Sequence, residues 1–453
     1  MLGKTADRQQ RDLFRPMLID FIDLNHELVL LADKIDWNYL EKEFSKFYSD
    51  TGKPSEPIRL MAGCLILKQM YKLGDESVAD VWVTNPYMQY FCGEAFFLHQ
   101  FPCDPSDFVH FRHRIGEEGV KILFQHSIYL NGKDAEENLV VSDTTVQGNN
   151  TTFPTDAKLY KKVIDRCVAI TRLESLPLRQ SYSRVSKSLV RQTQGRTNPK
   201  KKKGADSAQR KLRTIAGRLV RELARNLSDE LLSKYADELE LFSRVLSQTK
   251  DSKDKVYSLH KPYTACIAKG KASHNYEFGN KVGLVATANT QIIVAIQAFP
   301  GNPNDSRTIE PLVAQMQGNG LKLPSTLAYD RGGRGPKEVS GINIITPGKP
   351  KKSDSKYERA KNRKPFRRRA AIEPLIGHLK SDFRMQENFL KGMVSSTVNA
   401  MLSATAWNLK KLMRKLKDFC RFFYYWKILP NLTAAEPRIK IREKIMVGAC
   451  TRF

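Results

Sequence analysis

The sequence is poor in acidic residues relative to basic ones. It contains 48 Asp and Glu against 75 Lys and Arg in 453 residues, which leaves a formal net charge of +27. A large excess of one sign destabilises a compact fold by self-repulsion unless a polyanion neutralises part of it. The composition therefore favours a nucleic-acid partner, and the length predicts about two to four domains.

Cysteine and long apolar runs are also scarce. The seven cysteines are odd in number and form no CxxC pair, which fits a reducing compartment rather than a disulfide framework. The most apolar window, "VGLVATANTQIIVAIQAF", is interrupted by Asn, Thr and Gln, and no basic segment followed by an apolar one opens the chain. We therefore expect a cytoplasmic protein without a membrane partner.

The basic residues are concentrated in one part of the chain. Between Tyr160 and Arg225 there are nineteen Lys or Arg against four Asp or Glu, which predicts a nucleic-acid footprint. A lysine run in the Gly, Pro and Lys-rich segment "GRTNPKKKKGADS" is a candidate DNA contact, and a solvated loop is the alternative. The run comprises Lys200, Lys201, Lys202 and Lys203.

Hydrophobic periodicity predicts an all-helical domain over residues 1–135. In "IRLMAGCLILKQMY" and the segments after it, apolar residues recur every three or four positions. Several short helices with tight connections could include a helix-turn-helix that reads the DNA major groove. A helical packing domain without DNA contacts is the alternative.

The pattern then changes to that of a mixed α/β sheet. "NLVVSDTTVQG" predicts a buried strand with Asp143 at its carboxyl-terminal end, and "STLAYDRGGRGP" predicts a strand that ends in Asp330. Further strands are predicted in "FGNKVGLVATANTQIIVAIQAFPG" and "GINIITPG", with a capped helix in "NDSRTIEPLVAQMQ". We expect an α/β core over residues 136–158 and 256–400, a basic helical insertion over 159–255, and a basic and aromatic helical segment over 401–453.

Three carboxylates follow these elements. Asp143 and Asp330 stand where ligand-binding groups of α/β sheets commonly lie, although a single aspartate there is more often a turn former or helix cap. Glu373 adds a third carboxylate, and three on neighbouring elements suit Mg²⁺, which takes oxygen ligands. Asp156 is a further acid near Asp143, with a helix N-cap role as its alternative.

The stretch "FRRRAAIEPLIGHLK" surrounds Glu373 with cations. On one helix, Arg369, Glu373 and Lys380 would fall within roughly 40° of one another beside an apolar stripe. Pro374 prefers the first turn of a helix, which would place Glu373 at a helix start and Arg369 just before it. A surface ion pair between Arg369 and Glu373 is the alternative.

Taken together, these motifs resemble those of the DDE transposases of bacterial insertion sequences, and closely the group named after insertion sequence five. The similarity lies in "VVSDTTVQGNNTTFPTDAKLY", in "LAYDRGGRG" and in a Tyr-x2-Arg-x3-Glu-x6-Lys signature. The signature has Phe366 in place of tyrosine, followed by Arg369, Glu373 and Lys380. Phenylalanine retains stacking but lacks the phenolic hydroxyl. The resemblance covers most of residues 55–420.

The resemblance implies an RNase H-like catalytic core that follows an all-helical DNA-binding domain. It implies that Asp143, Asp330 and Glu373 bind two Mg²⁺ ions, for which Mn²⁺ could substitute, and that Phe366, Arg369 and Lys380 contact DNA. The expected reaction is cleavage at inverted terminal repeats and strand transfer to target DNA, by a homodimer on DNA in the bacterial nucleoid. A noncatalytic DNA-binding regulator and a nuclease that cuts without joining are the alternatives.

Overall fold

The structure is a computed structural model, and it divides into two compact units. It describes residue 3 and residues 14–49, 51–52, 54–268, 275–348, 355–392 and 394–428, without the side chains of 361–362 and 421–428. The first unit comprises Met1–Lys68, Leu73–Arg114 and Asn408–Phe453, and the second comprises Gln69–Lys72 and Ile115–Trp407. Of the predicted segment 401–453, residues 429–453 lie outside the described part.

The described part of the first unit is built from helices. Up to Arg114 they are α1 (Leu18–Phe21), α2 (Glu27–Lys34), α3 (Trp37–Ser45), α4 (Ile58–Met70), α5 (Asp75–Thr84), α6 (Pro86–Phe91) and the first part of α7 (Asp107–Tyr129). Capping residues determine where these helices begin. At the start of α3, the Asp36 side chain accepts a hydrogen bond from the Tyr39 amide at 2.9 Å. At the start of α6, Pro86 follows the capping residue Asn85. The predicted helical amino-terminal region is confirmed.

The α7 helix changes direction at Gly116. This residue has φ 56° and ψ −153°, inside a segment that is otherwise helical. Positive φ is accessible to glycine because it lacks a Cβ atom. The boundary between the two compact units, after Arg114, falls within two residues of this glycine.

A mixed seven-stranded sheet forms the centre of the second unit. Its strands are β1 (Leu139–Gly148), β2 (Ala265–Ala268), β3 (Tyr276–Thr287), β4 (Ile293–Phe299), β5 (Thr326–Ala328), β6 (Glu338–Val339) and β7 (Ile342–Ile345). The order is β2-β3-β1-β5-β7-β6, and β4 pairs with β3. β1 is antiparallel to β3 and parallel to β5, while β5 is parallel to β7. The predicted mixed α/β sheet is confirmed.

The helical segment between β1 and β2 has a hydrophobic core of its own. Its helices are α8 (Asp156–Leu173), α9 (Ser183–Thr193), α10 (Pro199–Asn226) and α11 (Asp229–Ser247). Their inward faces bury residues such as Ile164, Leu212 and Phe242 together. Apolar spacing of three and four residues on each helix produces this bundle.

Two of the alternatives that the sequence left open within this bundle were wrong. The lysine run is the first turn of α10 rather than a loop, because the Asn198 side chain accepts from the Lys200 amide and Pro199 occupies the first helical position. Asp156 does not cap α8. Thr155 is the N-cap, and its hydroxyl accepts from the Lys158 amide.

The remaining helices are α12 (Ser306–Gly318), α13 (Lys356–Arg369), α14 (Ile372–Ser381) and α15 (Ser395–Ile428). α13 contacts β1 and β5, and α14 contacts β1. In the described residues, no helix combines the length and the apolar character needed to cross a bilayer.

Candidate active site

Strand register brings Asp143 and Asp330 to adjacent positions. In the parallel pairing of β1 with β5, Val141 lies opposite Ala328. Asp143 and Asp330 each follow their paired residue by two positions. Since parallel strands run side by side in the same direction, equal offsets place the two aspartates at the same edge of this part of the sheet.

The predicted position of Asp143 at the end of its strand was wrong. Asp143 is the fifth residue of the ten-residue β1, which continues to Gly148. Thr144, Thr145 and Val146 are β-branched, and the antiparallel partner β3 extends the pairing as far as Gly148. Asp143 is therefore held by strand pairing, whereas Asp330 begins a turn.

The Asp143 carboxyl group is largely buried. Its side chain is 15% exposed, and Oδ1 accepts a hydrogen bond from the Thr144 amide at 2.8 Å. Burial raises the pKa of Asp143 to about 6, although Arg369 and the Thr144 amide oppose the rise. The nearby carboxylates of Asp330 and Asp305 add to it. The site therefore favours a cation beside this group.

Arg369 supplies such a cation and lies between the two aspartates. Its Nη2 is 2.9 Å from Asp143 Oδ2 and 3.8 Å from Asp330 Oδ2. Arg369 is the last residue of α13, which packs on β1 and β5. Its Nε atom is buried without a hydrogen-bond partner in the described structure. One guanidinium nitrogen of Arg369 thus lies within ion-pair distance of both carboxylates.

The Asp330 carboxylate is oriented by its own turn. Oδ1 accepts from the Gly332 amide at 2.8 Å in the short 3₁₀ segment Arg331–Gly333. A Cβ atom at Gly332 would lie 2.4 Å from Asp305 Oδ2 and 3.0 Å from Asp330 Oδ1. Glycine is required here because two carboxylates approach the backbone closely.

Asp305 is a third acidic residue close to Asp143, after Asp330, and sequence reasoning missed it. It occupies the N-cap position of α12 but makes no side-chain capping bond. Its Oδ1 instead accepts from Thr144 Oγ1 at 3.0 Å and from Lys281 Nζ at 2.8 Å. Asp305 therefore connects α12 to β1 and β3 next to Asp143. In the sequence, Asp305 stands just before a predicted helix, where an aspartate is expected to be the N-cap. Its contacts with Thr144 and Lys281 were therefore not expected.

Glu373 stands at the start of α14, as one of the two sequence alternatives predicted. α13 ends at Arg369 and α14 begins at Ile372, so Arg369 and Glu373 belong to different helices. The Glu373 side chain is exposed. No group of three or more His, Cys, Asp or Glu side chains in the described residues is placed to hold a metal ion. The structure thus brings together Asp143, Asp330 and Arg369, but not Glu373.

The other candidate residues are distributed over three helices. Phe366 on α13 and Lys380 on α14 are both half-buried. The four lysines at 200–203 are exposed on α10. Asp156 accepts a hydrogen bond from Gln209 Nε2 at 3.2 Å within the helical insertion. Asp156 therefore contributes to the insertion rather than to the aspartate pair.

Comparison with known families adds two matches. A model described as "Transposase domain (DUF772)" matches residues 16–114, and one described as "Transposase DDE domain" matches residues 247–409. The second range contains Asp305, Asp330, Arg369 and Glu373, while Asp143 lies between the two ranges. No solved structure matches the chain significantly.

A curated protein also matches this chain. An uncharacterized protein of Rhizobium meliloti, ORF8 in the nfe locus, is 39% identical over 183 residues. The similarity covers 39% of this chain and 88% of that protein. The chain belongs to the family of transposases with a DDE domain. Its membership agrees with the family expected from the sequence motifs.

Proposed function

We propose that the protein is an insertion-sequence transposase that cleaves DNA at inverted terminal repeats and joins the ends to a target. The membership in the DDE transposase family supports the class of reaction. The observation that carries the proposal is the placement of Asp143 and Asp330 around one cationic nitrogen. The mixed sheet, antiparallel on one side of β1 and parallel on the other, supports an RNase H-like core.

The donor set of the site fits a divalent metal ion. Carboxylate oxygens are the ligands that Mg²⁺ prefers, and Asp143 and Asp330 already share a single positive charge. We propose that these two residues hold Mg²⁺, or Mn²⁺ in its place, and that Glu373 joins them when DNA is bound. Two such ions supply activation of a water or a DNA 3′-hydroxyl and stabilisation of the departing oxygen.

The remaining site residues have proposed roles toward DNA. Arg369 would move from Asp143 to a phosphate near the cleaved end, where its planar guanidinium can bind two oxygens. Lys380 would contact the same backbone as a point charge. Phe366 would stack against a base or sugar. Recognition of the terminal repeats would belong to the helical residues 1–135.

The domain boundaries and the assembly are part of the same proposal. The catalytic core would comprise residues 136–158 and 256–400, and the basic helical insertion would comprise 159–255. Two copies would act on the paired ends of the element as a homodimer. The proposed group is the one named after insertion sequence five, and the proposed location is the bacterial nucleoid.

A product assay separates this function from its alternatives. Purified protein is incubated with labelled DNA that carries the element's end and with a supercoiled target, in Mg²⁺ or in EDTA. Metal-dependent nicking at the end together with joined product supports a transposase. Nicking without joined product would indicate a nuclease, and stable end binding without nicking would indicate a noncatalytic regulator.

A further inference from the structure

The α10 helix carries a row of positive side chains along one side. Viewed down the axis at 100° per residue, six cations fall within a sector roughly 80° wide. All six are exposed. They are Lys200, Lys203, Lys211, Arg218, Arg221 and Arg225. The other two residues in the sector, Ser207 and Thr214, bear hydroxyl groups, so the sector has no acidic or apolar side chain.

This row is directed away from the core of the bundle. The residues of α10 that are buried, such as Leu212, Ala216 and Leu219, lie on the opposite side of the helix. α9 packs along α10, and Arg218 Nη1 donates to Tyr182 Oη at 2.6 Å at the start of α9. On the outer face of α9, Arg184, Lys187 and Arg191 are exposed at three- and four-residue spacing. Exposed cations therefore lie on α9 as well as on the α10 helix against which it packs.

The row is not neutralised within the described structure. Other cations of the bundle have acidic partners: Arg166 pairs with Glu238 at 2.7 Å, and Lys234 pairs with Glu174 at 2.7 Å. Within the described ranges, Lys200, Lys203, Lys211, Arg221 and Arg225 have no acidic side chain in ion-pair range. Like charges three or four residues apart destabilise a helix. A solvated surface helix usually mixes both signs, and a polyanion bound along the row would offset the repulsion between its cations.

We infer that the outer face of α9 and α10 binds the phosphate backbone of duplex DNA without reading its sequence. The row from Lys200 to Arg225 is roughly 37 Å long at 1.5 Å per residue. That length corresponds to about eleven base pairs at 3.4 Å each. Lysine, arginine, serine and threonine are phosphate-binding residues, and such contacts carry no sequence information directly. The surface therefore suits target or flanking DNA. The choice of DNA as the polyanion rests on the proposed function.

The test uses the full-length protein and two triple variants that remove equal charge. The first changes the row: Lys203→Gln, Lys211→Gln and Arg221→Gln, with glutamine chosen for its good helix propensity. The control changes three exposed cations of the same helical insertion outside α9 and α10: Arg172→Gln, Arg244→Gln and Lys253→Gln. The dissociation constant for a labelled random-sequence duplex of about 30 base pairs is measured between low and moderate salt.

Counterion release gives a quantitative expectation. The slope of log affinity against log salt is about −0.9 per neutralised phosphate, so three lost contacts reduce its magnitude by about 2 to 3. We expect this reduction in the row variant and a change below about 0.5 in the control. The ratio of affinities for end DNA and random DNA should stay unchanged in both. Equal slopes in the two variants, or an effect confined to single-stranded DNA, would overturn the inference.

A cleavage assay at low salt and saturating protein separates this inference from the proposed function. The control variant should cleave end DNA as the wild type does, because none of its changes lies at the aspartate pair or in the row. Suppose that the wild type cleaves end DNA and that the two triple variants have equal salt slopes. The inference that the row binds DNA is then wrong, while the proposed transposase function stands. Suppose instead that the magnitude of the salt slope falls in the row variant as expected, but that the wild type does not cleave end DNA. The inference about the row then stands, while the proposed function is wrong.

Discussion

Arg369 Nη2 lies 2.9 Å from Asp143 Oδ2 and joins the end of α13 to the middle of β1. The two residues are 226 positions apart in the chain. The contact neutralises a buried carboxylate whose pKa burial raises to about 6. We interpret Arg369 as the group that holds this site together before metal and DNA bind.

Replacing this arginine should destabilise the fold, and Mg²⁺ should offset part of the loss. Arg369→Gln leaves Asp143 and Asp330 without their shared cation, which should lower the free energy of unfolding by about 1–3 kcal/mol. Since a divalent ion can take the same place, added Mg²⁺ should raise the melting temperature more in the variant than in the wild type. The control is Arg368→Gln, at an exposed neighbour. Equal melting temperatures and equal Mg²⁺ responses in both variants would contradict this role.

Asp305 should affect the Mg²⁺ concentration that cleavage requires, without contacting DNA. In Asp305→Asn the charge opposite Lys281 Nζ is lost, and the orientation of Thr144 beside Asp143 is weakened. Changes in groups that orient metal ligands typically cost about 10–100-fold in metal affinity or activity. We therefore expect the Mg²⁺ concentration for half-maximal cleavage to rise about tenfold, with unchanged DNA affinity. Glu310→Gln, an exposed change on the same helix, serves as the control, and an equal Mg²⁺ requirement in the two variants would disprove the role of Asp305.

Glu373 should matter for reaction but not for folding. Its side chain is exposed on α14, so Glu373→Gln should change the free energy of unfolding by less than about 0.5 kcal/mol. As a metal ligand that joins the site with DNA, it should nevertheless be essential for cleavage. Chemical denaturation and the end-cleavage assay are compared with those of Glu387→Gln, another exposed acid. Wild-type cleavage by the Glu373 variant would exclude it from the metal site.

Lys261 should give the stability a distinct pH dependence. It is 2% exposed, and its Nζ donates to the Asn388 carbonyl. Burial lowers the pKa of Lys261 from 10.5 to about 8. Between these values the unfolded chain binds a proton that the folded chain lacks, so this residue makes the free energy of unfolding rise with pH.

The measurement is urea denaturation from pH 7.5 to 10 for the wild type and for Lys261→Met. The difference in free energy of unfolding, wild type minus variant, should increase across this window. Lys253→Met, at an exposed lysine, is the control and should show no such trend. A difference that stays constant with pH in the Lys261 variant would refute the interpretation.

Sequence patterns predicted the elements that have strong local signals. The strand that carries Asp143, the β3–β4 hairpin and the helix after it follow from β-branched runs and helical periodicity. The strands β2 and β6 were missed because they have only four and two residues. Strands this short contain too little pattern to distinguish from loops.

The site was predicted less completely because its contacts are non-local. The two aspartates could be found, since each follows apolar strand residues. The bridge from Arg369 to Asp143 depends on how α13 packs against the sheet, which no local motif encodes. The Asp305 carboxylate was also unpredictable, because the same residue at a helix start is usually a cap.

The most direct test of the central claim is to compare DNA binding, cleavage and Mg²⁺ stabilisation in Asp143→Asn and Asp330→Asn, with the exposed Asp251→Asn as control. If the two aspartates share the metal, both variants should bind end DNA with wild-type affinity but lose cleavage and the Mg²⁺-dependent rise in melting temperature. The control should retain all three properties. Cleavage and Mg²⁺ stabilisation that persist in both site variants would contradict the account.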